Sequence, residues 1–144
     1  MTYKSLAYKI CDIAIHNTLL NYAIEGDAAE INSLNIKDYP LFMVSGIGPH
    51  TDKGSIMTYT LVFYYFDRAL NDFSNSTDAY STGIETLKNI VRILKEDDDI
   101  IDISDEVSYR PFKATDTKVL SDNCFGVYAQ VEVTVVNNTT CPID

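Results

Sequence analysis

The chain has 144 residues, and its 11 Lys and Arg stand against 21 Asp and Glu, which gives a formal net charge of −10. This acidic balance excludes sequence-independent nucleic-acid binding, which depends on basic side chains that neutralise phosphates, and it disfavours attachment to an anionic membrane. The length suits one core. We therefore expect a single domain over residues 1–137, followed by a flexible tail at residues 138–144.

The N-terminal segment carries apolar residues at spacings of three and four from residue 3 to residue 24, which predicts an amphipathic helix of about six turns. Lys4 and Lys9 interrupt its apolar residues, so we expect no signal peptide. Residues 28–38 mix small polar and short aliphatic side chains, which is typical of a linker.

Two β-rich segments follow the linker. The short apolar run at residues 41–44 and the longer run at residues 55–67 predict a hairpin with a wide, glycine-containing loop between its strands. The second run is apolar on both faces in its C-terminal half, which predicts a central strand covered on both sides.

The second half of the chain predicts a helix and two strands. The helix begins near Ser76 or Asp78 and ends near Glu96. Ile103, Val107 and Tyr109 indicate one strand. Residues 124–136 alternate apolar and polar side chains and predict another, with one buried face and one polar face.

The predicted order is helix, strand, strand, helix, strand, strand. This order predicts an α+β domain, with an antiparallel sheet of about four strands and two helices packed on one face. We expect no cofactor and no metal ion.

Residues that carry chemistry are few. His16 is predicted on the first helix, and His50 with Asp52 in the glycine-containing loop has no recognisable serine or cysteine nucleophile around it. Three widely spaced cysteines form no metal-binding or disulfide pattern, so we expect free thiols. An acidic cluster lacks the glycine of a calcium loop and predicts a solvated turn, with weak cation binding as the alternative. Its members are Asp97, Asp98, Asp99, Asp102, Asp105 and Glu106.

An ordered series of phrases along the chain is more specific than any of these sites. It runs from DYPLFMV through TYTLVFYYFDRALND, SNST, TGIETLKNIVRIL and YRPFKATDT to NCFGVYAQVEVTVVN. The series resembles the small tail-terminator, or tail-completion, family of tailed bacteriophages, within the broader group of head–tail connector ring proteins. The resemblance covers about residues 1–137.

The resemblance implies a tail-terminator-like fold and a structural role without catalysis. The chain would then be a virion protein, made in the host cytoplasm, that assembles as a homo-oligomeric ring, a hexamer or dodecamer. Its partners would be portal, adaptor or tail-tube proteins, and DNA would pass through the ring without specific binding. The sequence leaves open whether such a ring is a terminator, a stopper or another neck ring.

A ring subunit requires contact surfaces and a channel lining. We expect a sheet-edge strand to offer backbone groups to a neighbouring subunit, with an adjoining loop that orders on assembly. The candidate interface residues are Leu41, Phe42, Met43, Val44 and Phe73. We expect the acidic cluster to face the channel, where its charge would repel phosphates.

Two other functions remain open at this stage. One is a host-encoded α+β adaptor that adds a peptide strand at its sheet edge. The other is an enzyme that uses His50 with Asp52, for which loss of turnover in a His50→Ala variant is the expected sign.

Overall fold

In the part of the chain that the structure describes, the fold is a seven-stranded mixed sheet with two helices. The computed structural model describes residues 1–26, 39–68, 74–113 and 124–137. The elements in chain order are α1 (Tyr3–Asn17), β1 (Tyr22–Glu25), β2 (Leu41–Gly46), β3 (Thr51–Asp52), β4 (Ile56–Arg68), α2 (Ser76–Lys95), β5 (Ile100–Ile103), β6 (Arg110–Lys113) and β7 (Cys124–Val136). The predicted linker, Phe73 and the C-terminal tail lie outside the described residues.

The strands are ordered β1–β2–β4–β7–β5, with β3 paired to β4 and β6 paired to β7. β1 and β2 are parallel, and the other pairs are antiparallel. β4 and β7 pair over their full lengths, from Ile56 opposite Val136 to Arg68 opposite Cys124. The α+β class is confirmed, but the prediction of about four antiparallel strands is wrong, because it missed β1 and β3 and merged β5 with β6.

Both helices pack on the same face of the sheet, as predicted. β7 alternates as its sequence indicates, because Val127, Ala129, Val131, Val133 and Val135 are buried against the helices. The core on this face also contains side chains of both helices. They include Leu6, Ile10, Leu87, Ile90 and Leu94.

The opposite face carries a smaller apolar cluster at one end of the sheet. Leu41, Met43, Phe66 and Cys124 are buried there, and Phe112 packs against them. β4 therefore has buried side chains on both faces in its C-terminal half, which confirms the prediction of a central strand.

α1 is shorter than predicted, because it ends at Asn17 rather than at residue 24. The Asn17 side-chain amide donates a hydrogen bond to the Ile13 carbonyl, and the Thr18 hydroxyl donates one to the Ala14 carbonyl. These side chains satisfy carbonyls of the last turn that a continuing helix would bond. Residues 22–25 form the parallel strand β1 instead.

The segment predicted as a third strand contains parts of two strands, β5 and β6. β5 and β6 pair with opposite ends of β7, and residues 104–109 lie between them. β5 contains a register shift between Ile100 and Asp102. α2 begins at Ser76, within the predicted range, and ends at Lys95.

Candidate functional site

The strand expected to form a subunit contact lies inside the sheet. β2 pairs with β1 on one side and with β4 on the other, so it does not lie at a sheet edge, and the condition on which its backbone would bind a neighbouring subunit is not met. The physical reason is that residues 22–25, predicted as helix, occupy that edge. The four candidate side chains have no exposed surface and point alternately to the two faces. They are Leu41, Phe42, Met43 and Val44.

The acidic cluster is divided between two locations. Asp97 and Asp99 lie in the turn after α2, where both accept from Lys9 of α1, at 2.8 and 3.1 Å. Asp102 lies in β5, opposite Thr134 of β7, and its carboxylate accepts the Ile103 N–H. The remaining members, Asp98, Asp105 and Glu106, are exposed. None of the six carboxylates is buried.

Lys9 and Asp97 perturb each other's protonation. The hydrogen bond from Lys9 lowers the pKa of the Asp97 carboxyl, and the hydrogen bond to Asp97 raises the pKa of the Lys9 ammonium. Both shifts favour the charged forms, so the pair acts as an ionic link between the helix layer and the turn before β5.

The loop histidine belongs to an aromatic cluster. The His50 ring lies 5.7 Å from the Tyr3 ring and 5.2 Å from the Tyr59 ring, between centroids. Asp52 instead accepts hydrogen bonds from the Gly54 N–H and the Asn137 side chain, both at 2.8 Å. Among the described residues, no contact brings the Asp52 carboxylate to the His50 ring.

Tyr3 links α1 to β1 beside this cluster. Its hydroxyl donates a hydrogen bond of 2.7 Å to the Glu25 carboxylate. Burial and this carboxylate raise the pKa of the Tyr3 phenol. A Cβ atom on Gly46 would lie 2.8 Å from the Tyr3 ring, so the glycine allows this close approach. The arrangement is typical of packing that fixes a helix N-terminus.

A polar trough runs along β7 on the face opposite the helices. One groove of about 470 Å³ includes Ser104, Glu106, Arg110, Tyr128, Gln130 and Glu132 in its lining. A second groove of about 290 Å³ shares Ser104 and Glu132 with the first and adds Lys53, Thr58, Asp102 and Thr134. We call the two grooves together the β7 trough. From Thr134 to Tyr128 it extends roughly 20 Å at about 3.3 Å per residue.

Sequence reasoning missed this trough, although part of its signal was present. The alternation of β7 placed Tyr128, Gln130, Glu132 and Thr134 on its polar face, which the structure confirms. The trough's outer wall depends on the separation of β5 from β6. The sequence pattern does not indicate that separation, because residues 103–111 predict a single strand.

Apolar side chains are also exposed on α1. Tyr8 and Ile15 are seven residues apart and so lie on the same side of the helix. Leu19, just after the helix, is 91% exposed. We call these three residues the α1 outer surface.

Within the described ranges, no group of three or more His, Cys, Asp or Glu side chains is placed to hold a metal ion. Neither α1 nor α2 is both long and apolar enough to cross a membrane, a finding that covers the described residues.

Cys11 is partly buried as a free thiol, and Cys124 is buried. Burial, with a smaller contribution from the Glu25 charge, raises the pKa of the Cys11 thiol to about 11. A thiol with so high a pKa is mostly protonated at neutral pH and is a poor nucleophile.

No protein-family model matches the sequence, and no curated protein matches it significantly.

Proposed function

We propose that this protein is a structural subunit of a bacteriophage virion, which assembles as a ring in the head–tail connector and acts without catalysis. One observation carries the proposal: the phrases on which the family resemblance rests coincide with the centre of the fold. DYPLFMV contains most of β2, TYTLVFYYFDRALND contains most of β4, TGIETLKNIVRIL lies in α2, and NCFGVYAQVEVTVVN contains β7. β2, β4 and β7 are adjacent strands, and α2 packs on them.

The subunit contact must use a surface other than β2, because both edges of that strand are paired. The α1 outer surface is the candidate that we favour. Tyr8 is 64% exposed and Leu19 is 91% exposed. Covering apolar side chains of this size with a neighbouring molecule removes them from water and so stabilises the contact. A ring forms when this surface repeatedly contacts a different surface of the next copy.

The negative charge affects assembly in a measurable way. Each copy carries a formal charge of −10, so copies repel one another at low ionic strength. Salt screens this repulsion over about 10 Å at 0.1 M. We expect assembly to strengthen between low and moderate salt, in contrast to a complex held together by opposite charges.

The experiment is sedimentation velocity on the wild-type protein and on two charge-introducing variants. Leu19→Asp places a carboxylate in the α1 outer surface and should shift the protein toward monomer. Ile47→Asp adds the same charge at an apolar residue that is 48% exposed outside that surface, and it should leave assembly unchanged. Equal effects of the two variants would contradict the role of α1, and a wild-type protein that is monomeric at every concentration and salt level would contradict the ring.

The host-encoded adaptor is the second candidate, and the β7 trough is the feature that favours it. This candidate predicts a monomer that copurifies with a cellular peptide partner. Portal and major tail genes beside this one would contradict the adaptor and support the ring subunit.

A further inference from the structure

The sheet has an open edge at each end of its strand order. β1 pairs with β2 on one side and β5 pairs with β7 on one side, and among the described residues no strand pairs with the other side of either. Alternate residues of an edge strand direct their backbone N–H and C=O groups away from the sheet. Such an edge is a template for a strand of another molecule.

The two edge strands run in opposite directions. β1 is parallel to β2, and each following pair in the order β2–β4–β7–β5 is antiparallel, so β1 is antiparallel to β5. When copies are related by rotation about an axis along the strands, β1 of one copy therefore lies antiparallel to β5 of the next. This head-to-tail contact joins two different surfaces, and its repetition closes a ring.

The side chains of the two edges match face by face. Ala23 packs against the core under the helices, and Ile24 packs against the smaller cluster on the opposite face. In β5, Ile103 belongs to the core under the helices, and Asp102 lies on the face of the β7 trough. We therefore set Ala23 opposite Ile103 of the next copy. This antiparallel register brings Ile24 opposite Asp102, so both faces continue from one copy to the next.

The same register matches a carboxylate with an ammonium group. It sets Glu25 opposite Ile101 of the next copy, which is 51% exposed. Ile101 lines a groove of about 140 Å³ along the outer edge of β5, together with Lys95, Asp102 and Asp105. Within the described ranges, Lys95 forms no ion pair. Glu25 of the neighbouring copy supplies a partner for its charge, and the contact covers Ile101.

The α1 outer surface lies at the β1 end of the sheet. Tyr8, Cys11 and Ile15 are three and four residues apart, so they share one side of α1. Glu25 of β1 is close enough to Cys11 for its charge to raise the pKa of the thiol. The exposed apolar side chains of α1 therefore adjoin the open edge of β1, and one neighbouring copy covers both.

We propose that β1 of one copy pairs with β5 of the next, which joins the sheets of neighbouring copies into one continuous sheet around the ring. The occupant of each open edge is a second copy of this chain. This inference rests on the proposed function and names the surface that meets the β1 side. In the single chain the Asp102 carboxylate accepts the Ile103 N–H, and strand pairing replaces this bond with one to a backbone carbonyl.

The test is disulfide cross-linking of a full-length double variant that carries Ile24→Cys and Asp102→Cys. Residues directly opposite in antiparallel strands have Cα atoms about 4.5–5.5 Å apart, which a disulfide spans. Each copy then has one cysteine at each edge, so oxidation should give a ladder of covalent oligomers up to six or twelve copies on a denaturing gel. Each single variant alone should match wild type, which controls for the native cysteines. An equal mixture of the two single variants should give covalent dimers and nothing larger.

Amide hydrogen exchange gives a second readout on wild-type protein, so it stands even if the double variant fails to fold. The amides of residues 22–25 should exchange at least about tenfold more slowly at a concentration where rings form than in dilute protein. β4 is paired on both sides within the single chain, so exchange of its amides should not depend on concentration.

Rings that give no ladder with the double variant would overturn the proposal and leave the ring standing. Dimers formed by Ile24→Cys alone, in the same yield as the ladder, would also overturn it, because β1 would then pair with β1 of the second copy. Exchange at residues 22–25 that is equally fast in rings and in dilute protein is a third contrary result. A protein that forms no rings contradicts the proposed function and this inference together, so the two failures are distinguishable.

Discussion

Lys9 and Asp97 form an ion pair between α1 and the turn after α2, with 2.8 Å between Lys9 Nζ and Asp97 Oδ2. The two residues are 88 positions apart in the chain. Each side chain is about three-quarters shielded from solvent, so water screens the pair less than it would screen a fully exposed pair. The pair joins the first helix to the segment that leads into β5.

Lys9→Met should reduce the free energy of unfolding by about 1 kcal/mol at pH 7, because it removes the cation and keeps most of the aliphatic stem. The pKa of Asp97 is lowered in the folded state, so its stabilisation is present above the unfolded pKa of about 4 and is lost as pH falls through the folded pKa. The difference between wild type and variant should therefore shrink in acid. Urea unfolding at several pH values measures it.

Lys88→Met is the control for that experiment. Lys88 pairs with Glu85 on the exposed side of α2 at 3.4 Å, and both side chains are more than half exposed. We expect this variant to change the unfolding free energy by less than about 0.5 kcal/mol. A loss equal to that of Lys9→Met would contradict the specific role of the Asp97 pair.

Gly83→Ala should destabilise the protein, although alanine favours a helix. Gly83 lies where α2 meets the sheet, and a Cβ atom there would be 2.7 Å from both Tyr65 Cδ1 and Val127 Cγ2. Relieving this overlap costs roughly 1–3 kcal/mol, which exceeds the gain of about 1 kcal/mol in helix propensity. Urea unfolding should show a lower midpoint.

Thr82→Ala provides the comparison in the same helix. Thr82 is exposed, so its replacement creates no overlap and should change the unfolding free energy by less than about 0.5 kcal/mol. A Gly83→Ala protein that is as stable as this control would mean that α2 lies further from the sheet than described.

The regular elements were predictable because their patterns are long. β7 alternates over its whole length, and α2 repeats its apolar residues over five turns, so the core faces of both elements followed from periodicity. β1 was not predictable, because four residues that continue the spacing of a helix carry little pattern of their own. Its strand conformation depends on parallel pairing with β2, which only the tertiary structure supplies.

The sites were less predictable than the fold for the same reason. β2 could be placed at a sheet edge only because residues 22–25 were predicted as helix. A strand lies at the edge of a sheet only if no other strand pairs with it on one side. The sequence pattern places Asp97 in a solvated acidic run. Nothing near Asp97 in the sequence indicates that Lys9 is its partner. The outer wall of the β7 trough depends on where β5 ends and β6 begins, a boundary that the sequence pattern did not locate.

Tyr3→Phe should lower the unfolding free energy by about 1 kcal/mol, because it removes the hydrogen bond to Glu25. The pKa of the Tyr3 phenol is raised in the folded state, so its contribution is full below the unfolded pKa of about 10 and is lost as pH rises above that value. The variant should therefore lose stability less steeply than wild type above about pH 10.

Tyr8→Phe is the matched control, because Tyr8 is exposed and no hydrogen bond of its hydroxyl is found within the described residues. It should match wild type in unfolding free energy at neutral pH. A Tyr3→Phe protein with the same alkaline slope as wild type would contradict a raised pKa at Tyr3.

Cys11 should react slowly with iodoacetamide in the folded protein. With its pKa raised to about 11, the thiol is roughly 0.1% ionised at pH 8, whereas an ordinary thiol of pKa about 8.5 is about one-quarter ionised. Site-resolved mass spectrometry should give a rate at least about 100-fold lower in the native protein than in guanidinium. Equal rates in the two conditions would contradict the burial of this thiol.

Negative-stain imaging of the purified protein at high concentration and moderate salt tests the central proposal most directly. The ring proposal predicts annular particles with six or twelve repeats around a central opening, and it predicts that Leu19→Asp abolishes them while Ile47→Asp does not. A protein that shows only monomer-sized particles, and that is absent from purified virions, would contradict it.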